Sequence, residues 1–253
     1  MNISLVQSDV VWENHAANHA KVRALLNDNR PAPGSLVILP EMAFSGFSMN
    51  VAAAAQTDAL EDEAFLREMA TLHQSTIVGG LVSRINDVCG ANQALAISAE
   101  GIELARYTKL QPFSPVGESE SYPGGNEIVT FRWNGFQAAP FICYDLRFPE
   151  HFRAAVKLGV ELFIVIANWP VKRHHHWLTL LQARAIENQA FVIGVNRCGT
   201  DPSNSYNGRS IVVSPHGHII GDAGEGERAL RARIELDEVR QWREQFPALR
   251  DMR

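Results

Sequence analysis

The strongest constraint in this sequence is a set of short apolar runs that have no polar face. Leu36-Val37-Ile38-Leu39-Pro40 is apolar throughout, and Leu162-Phe163-Ile164-Val165-Ile166-Ala167 meets no polar residue before Asn168. A strand of this kind offers neither side to water, so it belongs in a sheet covered on both faces. Stretches of helical character separate such runs. The pattern predicts strands over 3–7, 36–39, 76–82, 91–97, 103–107, 135–142, 162–167, 191–197, 210–214 and 218–220. It predicts helices over 14–27, 64–73, 148–158, 174–190 and 236–245. Ala99-Glu100-Gly101 and the Pro215–Gly217 stretch read as hairpin turns. This alternation indicates α/β layering. No linker-like stretch divides the 253 residues, so one domain over 1–253 is expected.

Composition narrows the class of function. Hydrophobic residues make up 46% and charged residues 20%, the balance of a folded globular chain. The formal net charge is -5 and the pI about 6.0, with no basic stripe of the kind that grips phosphates, which argues against a nucleic-acid partner. No apolar run is long enough to cross a bilayer, and the N-terminus shows no basic and apolar pattern of a signal peptide. The three cysteines, Cys89, Cys143 and Cys198, show no close pairing. Reduced thiols and a cytoplasmic location are therefore expected.

Three residues could carry chemistry. Cys143 follows an apolar strand and precedes Tyr144-Asp145-Leu146-Arg147-Phe148-Pro149, where a helix begins. A strand-to-helix turn presents its side chain at the sheet edge where ligands bind in α/β proteins. A free thiol has a pKa of about 8.5, and a nearby lysine or helix N-terminus lowers it. Position alone leaves a buried structural cysteine open. Glu41 ends the run Leu36–Pro40, where burial would raise its pKa and suit it to proton transfer. Taken alone it reads equally well as a loop acid near a helix. Lys109, in Tyr107-Thr108-Lys109-Leu110-Gln111-Pro112-Phe113, follows a strand and is otherwise an ordinary surface lysine.

Glutamate, lysine and cysteine in that order, each at a strand end, resemble the nitrilase superfamily of carbon–nitrogen hydrolases. The matching stretches are LPEMAFSGF at Glu41, RYTKLQPF at Lys109 and FICYDLRFPE at Cys143. ANWP at 167–170, HWLTLLQARAIENQAFVIGVNRCG at 176–199 and GRSIVVSPHG at 208–217 extend the likeness over nearly the whole chain. The resemblance implies a four-layer α-β-β-α sandwich. It implies Glu41 as general base, Lys109 as oxyanion and geometry residue, and Cys143 as nucleophile. Glu118 matches a second acid that helps orient substrate. It also implies a homodimer or larger homo-oligomer through helices beside the site, and no cofactor or metal. Attack of the thiol on an amide carbon, with the oxyanion held by Lys109 and the Tyr144 backbone N–H, leads to a thioester that water then releases.

Other residues invite readings that the sequence does not support. Consecutive His174, His175 and His176 point around a helix rather than at one ion, with no second ligand cluster at suitable spacing. Cys89 and Cys198 read as buried thiols, Glu187 as a structural hydrogen-bonding acid, and Gly124–Gly125 as too short to cradle a phosphate. The Asn168-Trp169-Pro170 turn with Arg173 resembles the ω-amidase branch, which acts on 2-oxoglutaramate and 2-oxosuccinamate. Arg173 is expected to hold the remote carboxylate of such a small-molecule amide, with Trp169, Phe44 and Phe113 shaping a small pocket. A deaminated-glutathione amidase, a carbamoylase or a nitrilase is the rival within the family. A non-catalytic binding protein is the rival outside it, and the intact Glu41, Lys109 and Cys143 set speaks against that one.

Overall fold

The computed structural model describes residues 1–252. The chain runs β1 (Asn2–Gln7), α1 (His15–Asp28), β2 (Leu36–Ile38), α2 (Val51–Ala54), α3 (Glu61–His73), β3 (Thr76–Arg84), β4 (Gly90–Ile97) and β5 (Glu103–Thr108). It continues through α4 (Glu118–Ser121), β6 (Phe131–Trp133), β7 (Phe136–Ile142), α5 (Pro149–Lys157), β8 (Leu162–Ala167), α6 (His174–Asn188) and β9 (Phe191–Asn196). The last part holds β10 (Cys198–Thr200), β11 (Ser205–Asn207), β12 (Ile211–Val213), β13 (Ile219–Asp222), β14 (Arg228–Arg233) and α7 (Leu236–Gln245).

Two six-stranded sheets result, ordered β14-β1-β2-β3-β4-β5 and β13-β12-β9-β8-β7-β6. Their centres are parallel, β1 with β2 and β3 in one sheet and β7 with β8 and β9 in the other. These are the runs without a polar face, and the period-two alternation of a strand explains why. Leu36 and Ile38 join the main core cluster, together with Ile3, Leu5 and Val78 of the same sheet and residues of the second sheet. Val37 and Leu39 point the other way and pack with Val22 and Leu26 of α1 and Phe65, Leu66 and Met69 of α3. Helices α5 and α6 cover the second sheet through Phe152, Ala155, Trp177 and Leu181. The layering is α-β-β-α, as the resemblance implies. Each buried Val, Leu or Ile side chain contributes roughly 1.5–3 kcal/mol, so both faces of both sheets hold the sandwich together.

Helix boundaries differ slightly from the expected ones. Helix α1 starts at His15 because Asn14 caps it, its Oδ1 accepting from the Ala17 N–H at 3.0 Å. Helix α3 starts a turn early, at Glu61, where three acids fill the first turn and complement the helix dipole. Helix α6 stops at Asn188 because Gln189 turns left-handed, with φ 46°. Strands β6, β10, β11 and β14 are not among the predicted ones. Strand β14 reads Arg-Ala-Leu-Arg-Ala-Arg, in which three arginines mask a short apolar side. It is an edge strand that pairs with all of β1, from Asn2–Arg233 to Gln7–Arg228, and its Leu230 and Ala232 pack partly buried against the core.

The glycine pair in β3 sets a close approach that the site depends on. A methyl at Gly79 would meet Leu66 of α3 at 2.7 Å. A methyl at Gly80 would meet the Pro40 carbonyl oxygen at 2.4 Å and the Glu41 Cα at 2.5 Å. Gly80 donates to Pro40 at 3.1 Å and accepts from Ala43 at 2.8 Å, so it clamps the backbone on both sides of Glu41. The blocking atoms at Gly80 are backbone and cannot rotate away. Gly80→Ala is therefore expected to lower the unfolding free energy by about 1–3 kcal/mol in urea denaturation. Activity should fall further than that loss alone would bring, because Glu41 moves with the clamp.

Candidate active site

Glu41, Lys109 and Cys143 come from different parts of the two sheets and meet at their carboxyl ends. Glu41 follows β2, Lys109 follows β5, and Cys143 follows β7. Cys143 opens a 3-10 turn, Cys143–Arg147, with φ 47° in the left-handed region that a side chain enters only when its surroundings hold it there. Met42, next to Glu41, is left-handed as well, with φ 42°.

The Lys109 ammonium is 2% exposed and lies between two carboxylates that are fully buried. It donates to Glu41 Oε1 at 2.9 Å and to both Glu118 oxygens at 3.0 and 2.9 Å. Its three N–H groups are thus all directed to carboxylates. The Phe47 ring lies 5.2 Å from the same nitrogen. Asn92 Nδ2 bridges the two acids, donating to Glu41 Oε1 at 2.8 Å and to Glu118 Oε1 at 3.0 Å. The other Glu41 oxygen accepts from the Asn168 backbone N–H at 2.8 Å, and Asn168 Nδ2 donates to the Glu41 carbonyl at 2.8 Å. Glu118 Oε2 also accepts from the Phe113 N–H at 2.5 Å. Glu118 thus meets the protein's own lysine and the loop that follows it.

The charges set the protonation of the thiol. Burial opposes the Lys109 charge, but Glu41 and then Glu118 outweigh it and hold the ammonium well above its usual range. Burial pushes the Cys143 thiol well above 9.0, and the Glu41 carboxylate pushes it further while Lys109 opposes both. This differs from the lowering expected of a lysine neighbour. The lysine comes with two carboxylates, so the cluster carries a net negative charge and favours the neutral thiol. The Glu41 carboxylate lies close enough to the Cys143 side chain to interact with it. The arrangement can therefore pass a proton from sulfur to carboxylate as the sulfur attacks a carbon, with a cation alongside.

Two residues without an expected role hold this geometry. Asp145 is fully buried and accepts from the Tyr107 hydroxyl at 2.7 Å, the Ile142 N–H at 2.9 Å and the Gln111 N–H at 2.8 Å. It ties the cysteine turn to the segment carrying Lys109. Burial pushes its carboxyl up to about 6 against those hydrogen bonds. Asn92, the bridge between the acids, is a polar residue inside the apolar strand Gly90–Ile97, and that interruption was the available signal. Nothing in the sequence marks Asp145 from an ordinary loop acid.

A cavity of about 540 Å³ opens over Cys143. Tyr144, Trp169, Arg173 and Phe113 line it, as expected. Phe44 does not. It is 1% exposed and packs against His19 and Phe65 at 4.7 and 5.5 Å, on the helix side of the first sheet. A left-handed Gly46 separates it from Phe47 and Met49, which line the cavity instead. Trp12 and the segment with Asp201, Asn204 and Tyr206 complete the far side. Trp177 lies behind Trp169, with ring centroids 5.6 Å apart.

The remaining candidates lie elsewhere. His174 faces Asn207 at 3.2 Å and His176 faces Arg147 at 3.2 Å, so they point apart. Cys198 is buried, but Cys89 is not: it lies partly exposed in the turn between β3 and β4, which stands out into solvent with Ile85 and Val88 exposed as well. Glu187 pairs with Arg184 at 2.9 Å.

Residues 2–244 match the family model of the carbon-nitrogen hydrolases. An omega-amidase of Yersinia enterocolitica is 36% identical, covering 99% of this chain and 96% of its own. A 2-oxoglutaramate amidase of Bacillus subtilis is 31% identical, covering 99% and 97%. Among solved structures, a CN-hydrolase superfamily protein of Xanthomonas campestris with an arsenic adduct in its active site superposes with a TM-score of 0.92. It is 33% identical and covers 100% of this chain and 97% of that one.

The raised thiol gives a direct test. Alkylation of Cys143 by iodoacetamide follows the thiolate fraction, which grows about tenfold per pH unit below the pKa. The rate is expected to rise from pH 7 through pH 9 without a plateau, read by mass spectrometry of the modified peptide. Glu41→Gln removes the nearer negative charge and should speed alkylation at pH 7. A plateau near neutral pH would contradict the charge balance described above.

Proposed function

The chain belongs to the carbon–nitrogen hydrolase family, and on that premise we propose that it is an ω-amidase working through Cys143. As a member it is a hydrolase of amide carbon–nitrogen bonds. The proposed reaction converts 2-oxoglutaramate or 2-oxosuccinamate, with water, to the 2-oxo diacid and ammonia. The observation that carries it is the buried Glu41–Lys109–Glu118 cluster against a thiol at the floor of a cavity whose wall bears Arg173.

Glu41 takes the thiol proton as Cys143 sulfur bonds to the amide carbon. The carbonyl oxygen becomes an oxyanion near the Lys109 charge and the Tyr144 N–H. Because the Lys109 N–H groups already meet carboxylates, its first effect on that oxyanion is electrostatic. Protonated Glu41 gives its proton to the nitrogen, the carbon–nitrogen bond breaks, and ammonia leaves a thioester on Cys143. Water then attacks the thioester, Glu41 takes its proton, and the acid and the free thiol are restored. Arg173 holds the substrate carboxylate. Its guanidinium stacks on the Phe113 ring at 5.1 Å, which leaves its N–H edge available for a bidentate pair. A cytoplasmic homodimer belongs to the same proposal. The three thiols are unpaired, and Ile186 of α6 and Leu158 at the end of α5 are exposed apolar side chains on helices near the site.

Ammonia release from 2-oxoglutaramate, against neutral amides and nitriles, tests the reading. Cys143→Ala should lose at least about 10³-fold in kcat, as removal of a nucleophile does elsewhere. Activity retained in that variant would end the cysteine mechanism. Arg173→Ala should raise KM for 2-oxoglutaramate by about tenfold or more, the value of a charged hydrogen bond. An unchanged KM would remove Arg173 from carboxylate recognition.

A further inference from the structure

Arg173 is not alone in the cavity wall. Arg147, four residues after Cys143, lines the same cavity. Its guanidinium lies 4.8 Å from the Trp169 ring centroid and 5.9 Å from that of Tyr144. Its hydrogen bond is to His176 Nδ1 at 3.2 Å, a weak partner for a cation. Neither arginine has a carboxylate within ion-pair distance among the described residues. Most other partly or fully buried arginines compare differently: Arg106 pairs with Glu63, Arg184 with Glu187, Arg197 with Asp9 and Arg209 with Asp222, while Arg243 donates to the Gln189, Val160 and Asn188 carbonyls and Arg153 to the Met252 sulfur. The one acid of the cavity lining, Asp201, is already occupied by the Ser203 and Asn204 N–H groups and the Tyr206 hydroxyl. Burial holds Arg173 below the usual arginine range, and the neighbouring Arg147 charge adds to that lowering. Two guanidiniums are thus held against aromatic faces in one half-closed space, with N–H groups left over, and the exposed Lys172 lines the same space.

We propose that Arg147 and Arg173 together form an anion subsite, which takes the carboxylate of a short acid amide and the acceptor oxygen beside it while the amide lies at Cys143. The inference rests on the amidase reading above and adds Arg147 as a second specificity-determining residue beside Arg173. An anion there relieves the repulsion between the two guanidiniums as well as the cost of their partial burial. A neutral amide or a nitrile does neither.

Two measurements test this. The first is calorimetric binding of glutarate and 2-oxoglutarate to the Cys143→Ala protein, which keeps the wall and removes turnover. Both diacids should bind, and Arg147→Met in that background should weaken them by about 10–100-fold, with Arg147→Lys recovering part of the loss. The second is the ratio of kcat/KM for glutaramate over pentanamide, its neutral counterpart, which should fall by a similar factor in Arg147→Met, mainly through KM. Arg147→Gln serves where the methionine variant fails to fold. Diacid affinity and a substrate ratio that are unchanged in the folded variants overturn the subsite. Diacid binding that depends on Arg147, without turnover of 2-oxoglutaramate, keeps the subsite and removes the ω-amidase reading. Turnover of 2-oxoglutaramate with an unchanged ratio does the reverse.

Discussion

A lysine ammonium buried between two carboxylates is the interaction around which the rest of this molecule is arranged. Taking three charges out of water is costly, and the attraction among them repays it only when the geometry is good and the remaining lone pairs are met. Here they are met. Lys109 reaches three carboxylate oxygens, Asn92 bridges the two acids, and Asn168 and Phe113 supply backbone N–H groups to the rest. The set leaves one net negative charge. Burial, with that surplus, keeps the adjoining thiol protonated at rest, so in the proposed mechanism activation waits for Glu41 to take the proton during attack.

Holding such a cluster requires rigid neighbours on every side, and the two-sheet architecture provides them. Glu41, Asn92 and Lys109 come from the first sheet, and Cys143 and Asn168 from adjacent parallel strands of the second. Contacts across the sandwich fix the two halves to each other. Asn168 grips Glu41 at both its side chain and its carbonyl, and Asp145 grips the Ile142 N–H together with the Tyr107 hydroxyl. The close approach at Gly80 serves the same end from behind, because only a residue without a Cβ lets β3 touch the Glu41 backbone.

Much of this was legible in the sequence, and the exceptions have a common cause. Runs such as Leu162–Ala167 mark themselves as doubly covered strands, because nothing in them can face water. The Glu41, Lys109 and Cys143 stretches are recognisable as a set, since each is a chemically capable residue at a strand end. What escaped was whatever depends on direction rather than identity. Phe44 and Phe47 are three residues apart and both aromatic, yet the chain between them turns through a left-handed Gly46, with one among the helices and the other in the cavity. Asn92 and Asp145 act through partners far away in sequence, Glu41 at 51 positions and Tyr107 at 38. Strand β14 was hidden because its apolar side is only Leu230 and Ala232, set among three arginines, and the rest of its hold is backbone pairing at an edge.

The charge layout also bears on direction within the cavity. Its floor is net negative, from Glu41 and Glu118 against the single Lys109, while its wall carries Arg147 and Arg173. In the proposed reaction, an acid amide entering this field has one favourable orientation, carboxylate toward the arginines and amide toward Cys143. Hydrolysis then changes the sign of the interaction at the floor: the amide that arrived neutral becomes a second carboxylate beside a cluster that already has one negative charge in excess. Repulsion there opposes retention of the product, whereas the same repulsion is absent for the substrate. The surplus charge that, with burial, keeps the thiol protonated therefore also favours clearing the site, so one arrangement of three buried groups bears on both the first and the last step of the proposed reaction.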